Sequence, residues 1–197
     1  MDKYTVVTSI KKVFATVSAV AIIGTAFVGG QSAFAASSTG ITGDPLTWSA
    51  PTVGNFANVK LNGKVQTTNA TIDNFTVTDA SGTGAGWNVT VKASQLTTVP
   101  AAGSDEEVLT LPMDSIKISA PKVTAEAGAS DVLTIKSATG TIDNATGVEL
   151  LSAEVDGGMG MYNMTFEEPA LTLTLNPKDV KAGNYTSTIT VSITTGP

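Results

Sequence analysis

The chain has 197 residues and a formal net charge of −6, and it contains no cysteine, histidine or arginine. Without imidazole and thiol groups it has no Ser-His-Asp triad, no cysteine nucleophile and no zinc or copper site built from those ligands. An acidic chain without arginine also argues against binding nucleic acid or anionic lipid through charge.

The N-terminus carries the pattern of an export signal. A basic segment with Lys11 and Lys12 precedes the apolar stretch 13–29, and Ala33-Phe34-Ala35 forms a small-residue cleavage site. A transmembrane anchor is the alternative, but the apolar stretch is short for a span. The pattern therefore predicts a signal peptide at residues 1–35, cleaved before residue 36.

The predicted mature chain, residues 36–197, has 162 residues, with 16 acidic residues and eight lysines. A chain of this length buries about 70% of its unfolded surface, which is enough for one domain without disulfides. We expect the mature chain to be secreted, with no membrane segment after cleavage.

Alternating apolar and polar residues predict short strands along the first half of the chain. Pro45 and Pro51 flank an expected edge strand or extended arm at 44–51. Asn62-Gly63 is typical of a two-residue hairpin turn. The predicted strands of this half are 59–61 and 64–66, joined by that turn, then 72–79 and 87–94.

The second half continues the pattern, with Pro112 separating two of its predicted strands. Segment 148–155 is apolar enough for a strand or a short helix, and 99–107, 121–130 and 140–147 are predicted loops. The predicted strands are 108–111, 116–118, 132–135, 162–166, 171–175 and 185–194. Their number and spacing predict an all-β, antiparallel β-sandwich of immunoglobulin-like or Greek-key type with nine or more strands.

Two acid-plus-glycine loops each lead into an aromatic residue at the start of a strand. One runs over 79–86 into Trp87, and the other runs over 156–160 towards Tyr162. The two loops could lie side by side at one end of the sandwich. The alternative, which the loops alone favour, is a pair of ordinary tight turns.

Neither glycine loop has the sequence of a nucleotide-binding motif. No Lys-Ser or Lys-Thr pair follows loop 82–86, and the next predicted element is a strand rather than a helix. Asp79, Asp143 and Asp156 have no calcium-loop spacing. The acidic pairs 106–107 and 167–168 are typical of solvated loops. We therefore predict no cofactor, no metal site and no enzymatic activity.

Segment 72–94 resembles the first motif region of WxL-domain proteins, which are secreted surface proteins of Gram-positive bacteria. Segment 183–194 resembles the closing region of the same domain. The first Trp-x-Leu motif of the family stands here as Trp87-Asn88-Val89. At the second motif the tryptophan is replaced, and the sequence reads Val191-Ser192-Ile193.

This resemblance implies a β-sandwich-like domain that attaches non-covalently to the cell wall through peptidoglycan. It also implies that other surface proteins are partners. The expected location is the cell wall or the extracellular surface.

Trp87 has two interpretations. Its ring can lie on a sugar face of the wall, or it can pack inward with Val89 and Val91, as large aromatics at alternating positions usually do. Val191 and Ile193, the counterparts of the second motif, are predicted core residues.

Four further residues complete the predicted wall-binding set. Trp48 is expected to be partly exposed. Asn88, Thr90 and Asn163 lie on the polar faces of their strands and offer neutral hydrogen bonds to glycan or stem peptide. The alternative role for these three polar residues is simple solvation.

Two other functions remain open from the sequence. A structural subunit could assemble through exposed strand edges, for which the long Thr-rich strand 185–194 is suited. A glycan-active enzyme would need two acids about 5–9 Å apart in a cleft.

Overall fold

The computed structural model describes residues 39–100 and 107–196, so the predicted signal peptide and part of the predicted loop 99–107 lie outside it. The described chain is all-β, as predicted, with one short 3₁₀ turn at Val132–Thr134. Its strands are β1 (Thr47–Trp48), β2 (Gln66–Ala70), β3 (Phe75–Asp79), β4 (Trp87–Ala93), β5 (Thr97–Thr98), β6 (Ile116–Ile118), β7 (Lys122–Ala125), β8 (Ile135–Ser137), β9 (Gly140–Thr141), β10 (Val148–Ala153), β11 (Gly160–Thr165), β12 (Leu171–Leu175), β13 (Tyr185–Thr186) and β14 (Ile189–Thr195).

The strands form three four-stranded sheets and one two-stranded ladder. The orders are β1-β3-β11-β7, β14-β4-β10-β8 and β2-β12-β6-β9, and β13 pairs with β5. We call the three large sheets the β3, β4 and β12 sheets. Every pairing between these strands is antiparallel, and the arrangement is sandwich-like, as the sequence predicts.

The core follows directly from the period of two along the strands. In β4 the side chains of Trp87, Val89, Val91 and Ala93 are buried, while the residues between them reach solvent. The leucines of β12 alternate with threonines in the same way. Each fully buried aliphatic side chain contributes about 1.5–3 kcal/mol relative to exposure, so alternation fixes which face of each sheet turns inward.

The predicted hairpin across Asn62-Gly63 is wrong. Gly63 does take the left-handed conformation, with φ +75°, but residues 59–61 are not a strand, and β2 pairs with β12 instead. The side chain of Gln66 accepts from the Asn62 N–H and donates to the Lys60 carbonyl oxygen. The Asn62 side chain also accepts from the Lys64 N–H, the donor that a two-residue hairpin would direct to the Leu61 carbonyl oxygen. The turn therefore closes without a ladder, and β2 buries Thr68 and Ala70 against the core.

The two C-terminal strands form as predicted, but not as a pair. β12 and β14 belong to different sheets, and the predicted strand 185–194 is interrupted at Ser187 and Thr188. The hydroxyl oxygen of Ser94 accepts from the Thr188 N–H, and the Ser187 hydroxyl donates to the Ser94 carbonyl oxygen. These side-chain bonds replace ladder bonds, which separates β13 from β14.

Val191 and Ile193 were predicted as core residues and are only half-buried. The reason is that β14 is the edge strand of the β4 sheet, so no neighbour covers its outer side among the described residues.

Three further segments differ from the prediction. Residues 132–134 form a 3₁₀ turn rather than a strand, because the Asp131 side chain caps the Leu133 N–H. The predicted turn-rich segment 121–130 contains β7, and the predicted strand 108–111 forms only one isolated bridge. The ambiguous segment 148–155 is a strand, β10.

Candidate functional site

The two glycine loops are neighbours at one end of the described fold. The Asp156 N–H donates to the Gly84 carbonyl oxygen at 2.8 Å, and Gly160 pairs with Asp79 in the β3 sheet. The aromatic rings that the loops introduce, Trp87 and Tyr162, pack with their centroids 6.2 Å apart. The loops thus join the β4 sheet to the β3 sheet.

Trp87 lies entirely inside this junction. Its ring is 0% exposed, and its indole N–H donates to the Gly158 carbonyl oxygen at 2.9 Å. A Cβ on Gly158 would come within 2.7 Å of the indole nitrogen and 2.4 Å of the Ala153 Cβ, so only glycine fits. With no ring surface facing solvent, this geometry favours the packing interpretation of Trp87 over stacking on a sugar.

Tyr162 completes the buried end of the junction. Its hydroxyl donates to the Ser130 and Met159 carbonyl oxygens, both at 3.0 Å. Burial raises the pKa of the Tyr162 phenol, and the negative charges of Asp79 and Asp131 act in the same direction. The fold therefore favours the neutral phenol.

The two motif regions are hydrogen-bonded neighbours. β14 pairs with β4 along its whole length, which sets Ile193 opposite Val89 and Val191 opposite Val91. The four side chains share one inward face. The structure thus brings together the motif counterparts Val89, Val191 and Ile193 and gives them a packing role.

Asn88 and Thr90 lie on the outer face of the same strand pair. The Asn88 amide donates to the Gly196 carbonyl oxygen at 3.1 Å and accepts from the Thr194 hydroxyl at 2.7 Å. Thr90 stands opposite Ser192. Both residues are partly exposed, and they form what we call the flat surface, a patch of amides and hydroxyls on the outer face of the sheet. The exposed Glu149 of β10 stands directly opposite Thr90, so one carboxylate adjoins this patch.

Trp48 and Asn163 belong to a different sheet. Trp48 is half-buried and meets Phe75 edge-on, with centroids 6.4 Å apart. The Asn163 amide donates to the Glu126 carboxylate at 2.6 Å on the outer face of the β3 sheet. The five predicted wall-binding residues are therefore divided between a buried junction and two separate sheets, and they do not converge on one site.

A groove that the sequence analysis did not predict lies between the arm at 56–61 and the loop at 180–185. Its volume is about 470 Å³, in the range of small-ligand sites. Four buried leucines line its floor: Leu96, Leu111, Leu173 and Leu175. Phe56 and Tyr185 form half-buried walls.

The polar lining of the groove carries positive charge on an acidic chain. Lys60 and Lys181 line it with the amides of Asn58 and Asn184, and among residues 39–100 and 107–196 no carboxylate lines it. Lys181 reaches the Glu107 carboxylate at 3.4 Å, but both side chains are largely exposed, and such a pair contributes little. No sequence motif marks these residues, because they converge only when the arm crosses the end of β12.

Within 39–100 and 107–196, no group of three acidic side chains is placed to hold a metal ion. Glu167 and Glu168 are exposed neighbours on one loop. Asp143 is fully buried, and its carboxylate accepts the N–H groups of Ser115 and Ile116, both at 2.9 Å. Over the same residues, no helix has the length and apolarity to cross a membrane.

Comparison with known families agrees with this fold. Residues 37–197 match the model of the family described as WxL domain surface cell wall-binding. The chain belongs to the WxL-domain family and is a surface, cell-wall-binding domain. No curated protein and no solved structure matched the chain in the same comparisons.

Proposed function

We propose that this protein attaches non-covalently to peptidoglycan after export and performs no catalysis on it. The family match over residues 37–197 carries the proposal, because it spans almost all of the predicted mature chain. The absence of histidine and cysteine from the sequence supports the non-catalytic part.

The groove is the contact surface we propose for the peptide part of peptidoglycan. Stem peptides combine small methyl side chains with free carboxylates. The leucine floor suits the methyl groups, the two lysines suit the carboxylates, and the two amides suit peptide groups. A ligand carboxylate would compete with Glu107 for Lys181, which is an exposed and therefore weak pairing.

The flat surface around Asn88 and Thr90 is the contact we propose for the glycan. Its amide and hydroxyl groups match sugar hydroxyls, and the adjoining Glu149 carboxylate offers a further acceptor. Asn163, on the outer face of the β3 sheet, would contact a separate strand of the wall, whereas Trp48 shares the inner face of that sheet with Val77 and Phe75. Trp87 stays in this proposal as the residue that holds β4 in place, because its ring is buried.

Sedimentation with purified peptidoglycan, stripped of teichoic acid, tests the groove. The variant Lys60→Gln/Lys181→Gln replaces both ammonium groups with neutral amides, and we expect it to leave at least about half of the bound chain in the supernatant. The matched control Lys122→Gln/Lys136→Gln alters two exposed lysines of other sheets and should sediment like the native chain. Equal sedimentation of both variants would remove the groove from the proposal.

Two further assays test the glycan contact and the absence of catalysis separately. Asn88→Ala/Thr90→Ala should weaken sedimentation with the peptide-free glycan if the flat surface binds sugar. Incubation of native chain with peptidoglycan should release no soluble fragments or new reducing ends, and their steady release would contradict the non-catalytic assignment.

A second candidate function is a structural subunit that assembles with further copies or with other surface proteins. One observation favours it: within the part of the chain that the structure describes, β14 leaves a long open edge on the β4 sheet.

A further inference from the structure

The hydrogen bonds between β14 and β4 show which backbone groups of β14 face its open edge. The Ser94 N–H donates to the Thr188 carbonyl oxygen, and the Gly196 N–H donates to the Gly86 carbonyl oxygen. These two bonds lie at either end of β14 and involve the even-numbered residues 188 and 196. In an antiparallel pair every second residue is hydrogen-bonded to the partner strand, so the even-numbered residues between them also bond to β4. The backbone groups of Ile189, Val191, Ile193 and Thr195 therefore point away from β4.

This edge lacks the features that usually protect a sheet edge. Its sequence, Ile-Thr-Val-Ser-Ile-Thr-Thr, contains no proline and no charged residue, and its register with β4 runs without a bulge. Protected edges are short, charged or covered. The edge strands β7 and β8 each carry a lysine, and β1 and β9 have two residues each. The uncharged edge strand β2 has the arm beside it, since the Thr68 hydroxyl donates to the Ala57 carbonyl oxygen.

The apolar side chains of the edge are also incompletely covered. Val89, Val91 and Ala93 of β4 are at most 2% exposed, whereas their partners on β14 are only half-buried. One further strand beside β14 would cover that side of Ile189, Val191 and Ile193.

The strand is complementary to itself. When a second copy of the strand runs antiparallel to the first and the two are centred on Val191, Val191 lies opposite its own copy. Ile189 then lies opposite Ile193, and Thr190 lies opposite Ser192. Antiparallel pairing of two copies thus brings like residues together and opposes no charges. A two-fold axis through such a pair gives the closed, isologous interface typical of homodimers.

We propose that two copies of this chain pair through antiparallel β14 edges about Val191, joining their β4 sheets into one continuous eight-stranded sheet. The central pairs would form about six backbone hydrogen bonds. The proposal does not depend on peptidoglycan binding, since it concerns the chain alone. Because each copy carries net negative charge, the dimer should strengthen as salt screens the repulsion.

Sedimentation velocity of the mature chain, over a concentration series at two salt concentrations, tests this pairing. We expect the native chain to shift from monomer to dimer. Val191→Lys sets two like charges directly opposite each other and should raise the dissociation constant at least about tenfold. The control Thr67→Lys places the same charge on the exposed face of β2 and should dimerise like the native chain.

A mixing experiment separates lost pairing from a damaged fold. Val191→Glu should also be monomeric alone, and equal amounts of the Lys and Glu variants should form a heterodimer through opposite charges. A native chain that stays monomeric at every concentration would overturn the proposal. That result would overturn it even if β14 accepted a strand from a different protein. Undiminished dimerisation of Val191→Lys would overturn it as well.

Discussion

Trp87 and Gly158 show how single residues of the motif region serve the fold. The indole is buried, and its one polar group is satisfied by the carbonyl oxygen of a glycine that has φ +68°. Alternation along 87–94 was sufficient to predict that Trp87 can face inward. It could not predict Gly158 as the partner, because the contact joins residues 71 positions apart.

The close fit at Gly158 leads to a stability prediction. Gly158→Ala should cost about 1–2 kcal/mol for its left-handed backbone and about 1–3 kcal/mol more for its clash with Trp87 and Ala153. Gly63→Ala is the matched control, because Gly63 has a similar φ of +75° but no atom within 4 Å of the added methyl. Urea denaturation should show the larger loss for Gly158→Ala, and equal losses would contradict the packing described here.

Tyr162 predicts a dependence of stability on alkaline pH. Its raised pKa means that the fold favours the protonated, neutral phenol. The resulting stability is fully present below pH of about 10, the ordinary pKa of tyrosine, and is lost as pH rises through the higher pKa of the folded state. Tyr162→Phe should lower stability by about 1 kcal/mol at neutral pH, because two carbonyl oxygens lose their donor.

The measurement is the urea midpoint between neutral pH and pH 11. The native chain should lose more stability over that interval than Tyr162→Phe, and Tyr185→Phe, which alters a more exposed phenol, should behave like the native chain. Identical slopes for the native chain and Tyr162→Phe would contradict this assignment.

At the scale of elements, the sequence predicted strands well where an apolar face alternates with a polar one. β3, β4, β6, β11 and β12 all follow that pattern, whereas β10, which the sequence left ambiguous, buries the consecutive Leu150 and Leu151. It did not predict partners, because pairing depends on contacts distant in sequence. Asn62-Gly63 formed its turn without a hairpin, since the Asn62 side chain accepts from the Lys64 N–H that a hairpin would have bonded to Leu61.

Asp143 anchors the start of a strand, and no pattern in the sequence predicts this role. Its buried carboxylate accepts both N–H groups at the start of β6, which fixes that strand to the turn after β9. Asp143→Asn replaces one accepting oxygen with an N–H₂ group that faces a donor, so we expect a loss of about 1–3 kcal/mol. Thermal or urea unfolding measures this loss.

Asp131→Asn provides the control for that substitution. Asp131 is exposed and accepts the Leu133 N–H with one oxygen, which asparagine supplies equally well. Its stability should change by less than about 0.5 kcal/mol. A comparable loss in both variants would mean that Asp143 has no special role in anchoring β6.

At the scale of the whole molecule, the sequence predicted the class of protein but not the binding surface. Strand count, the absent catalytic residues and the resemblance of 72–94 to WxL domains gave an all-β surface protein of that family. The groove depends on the position of the irregular arm at 56–61. Because that arm has no helix or strand periodicity, the sequence does not predict where it lies. The open edge of β14 likewise depended on the order of strands in a sheet.

Above all, we propose that the folded chain holds peptidoglycan without a covalent bond. Sedimentation of the native mature chain with peptidoglycan stripped of teichoic acid tests it most directly. We predict that most of the chain pellets with the polymer and returns to solution in denaturant at its unmodified mass. A folded native chain that stays in the supernatant at every polymer concentration would contradict the claim.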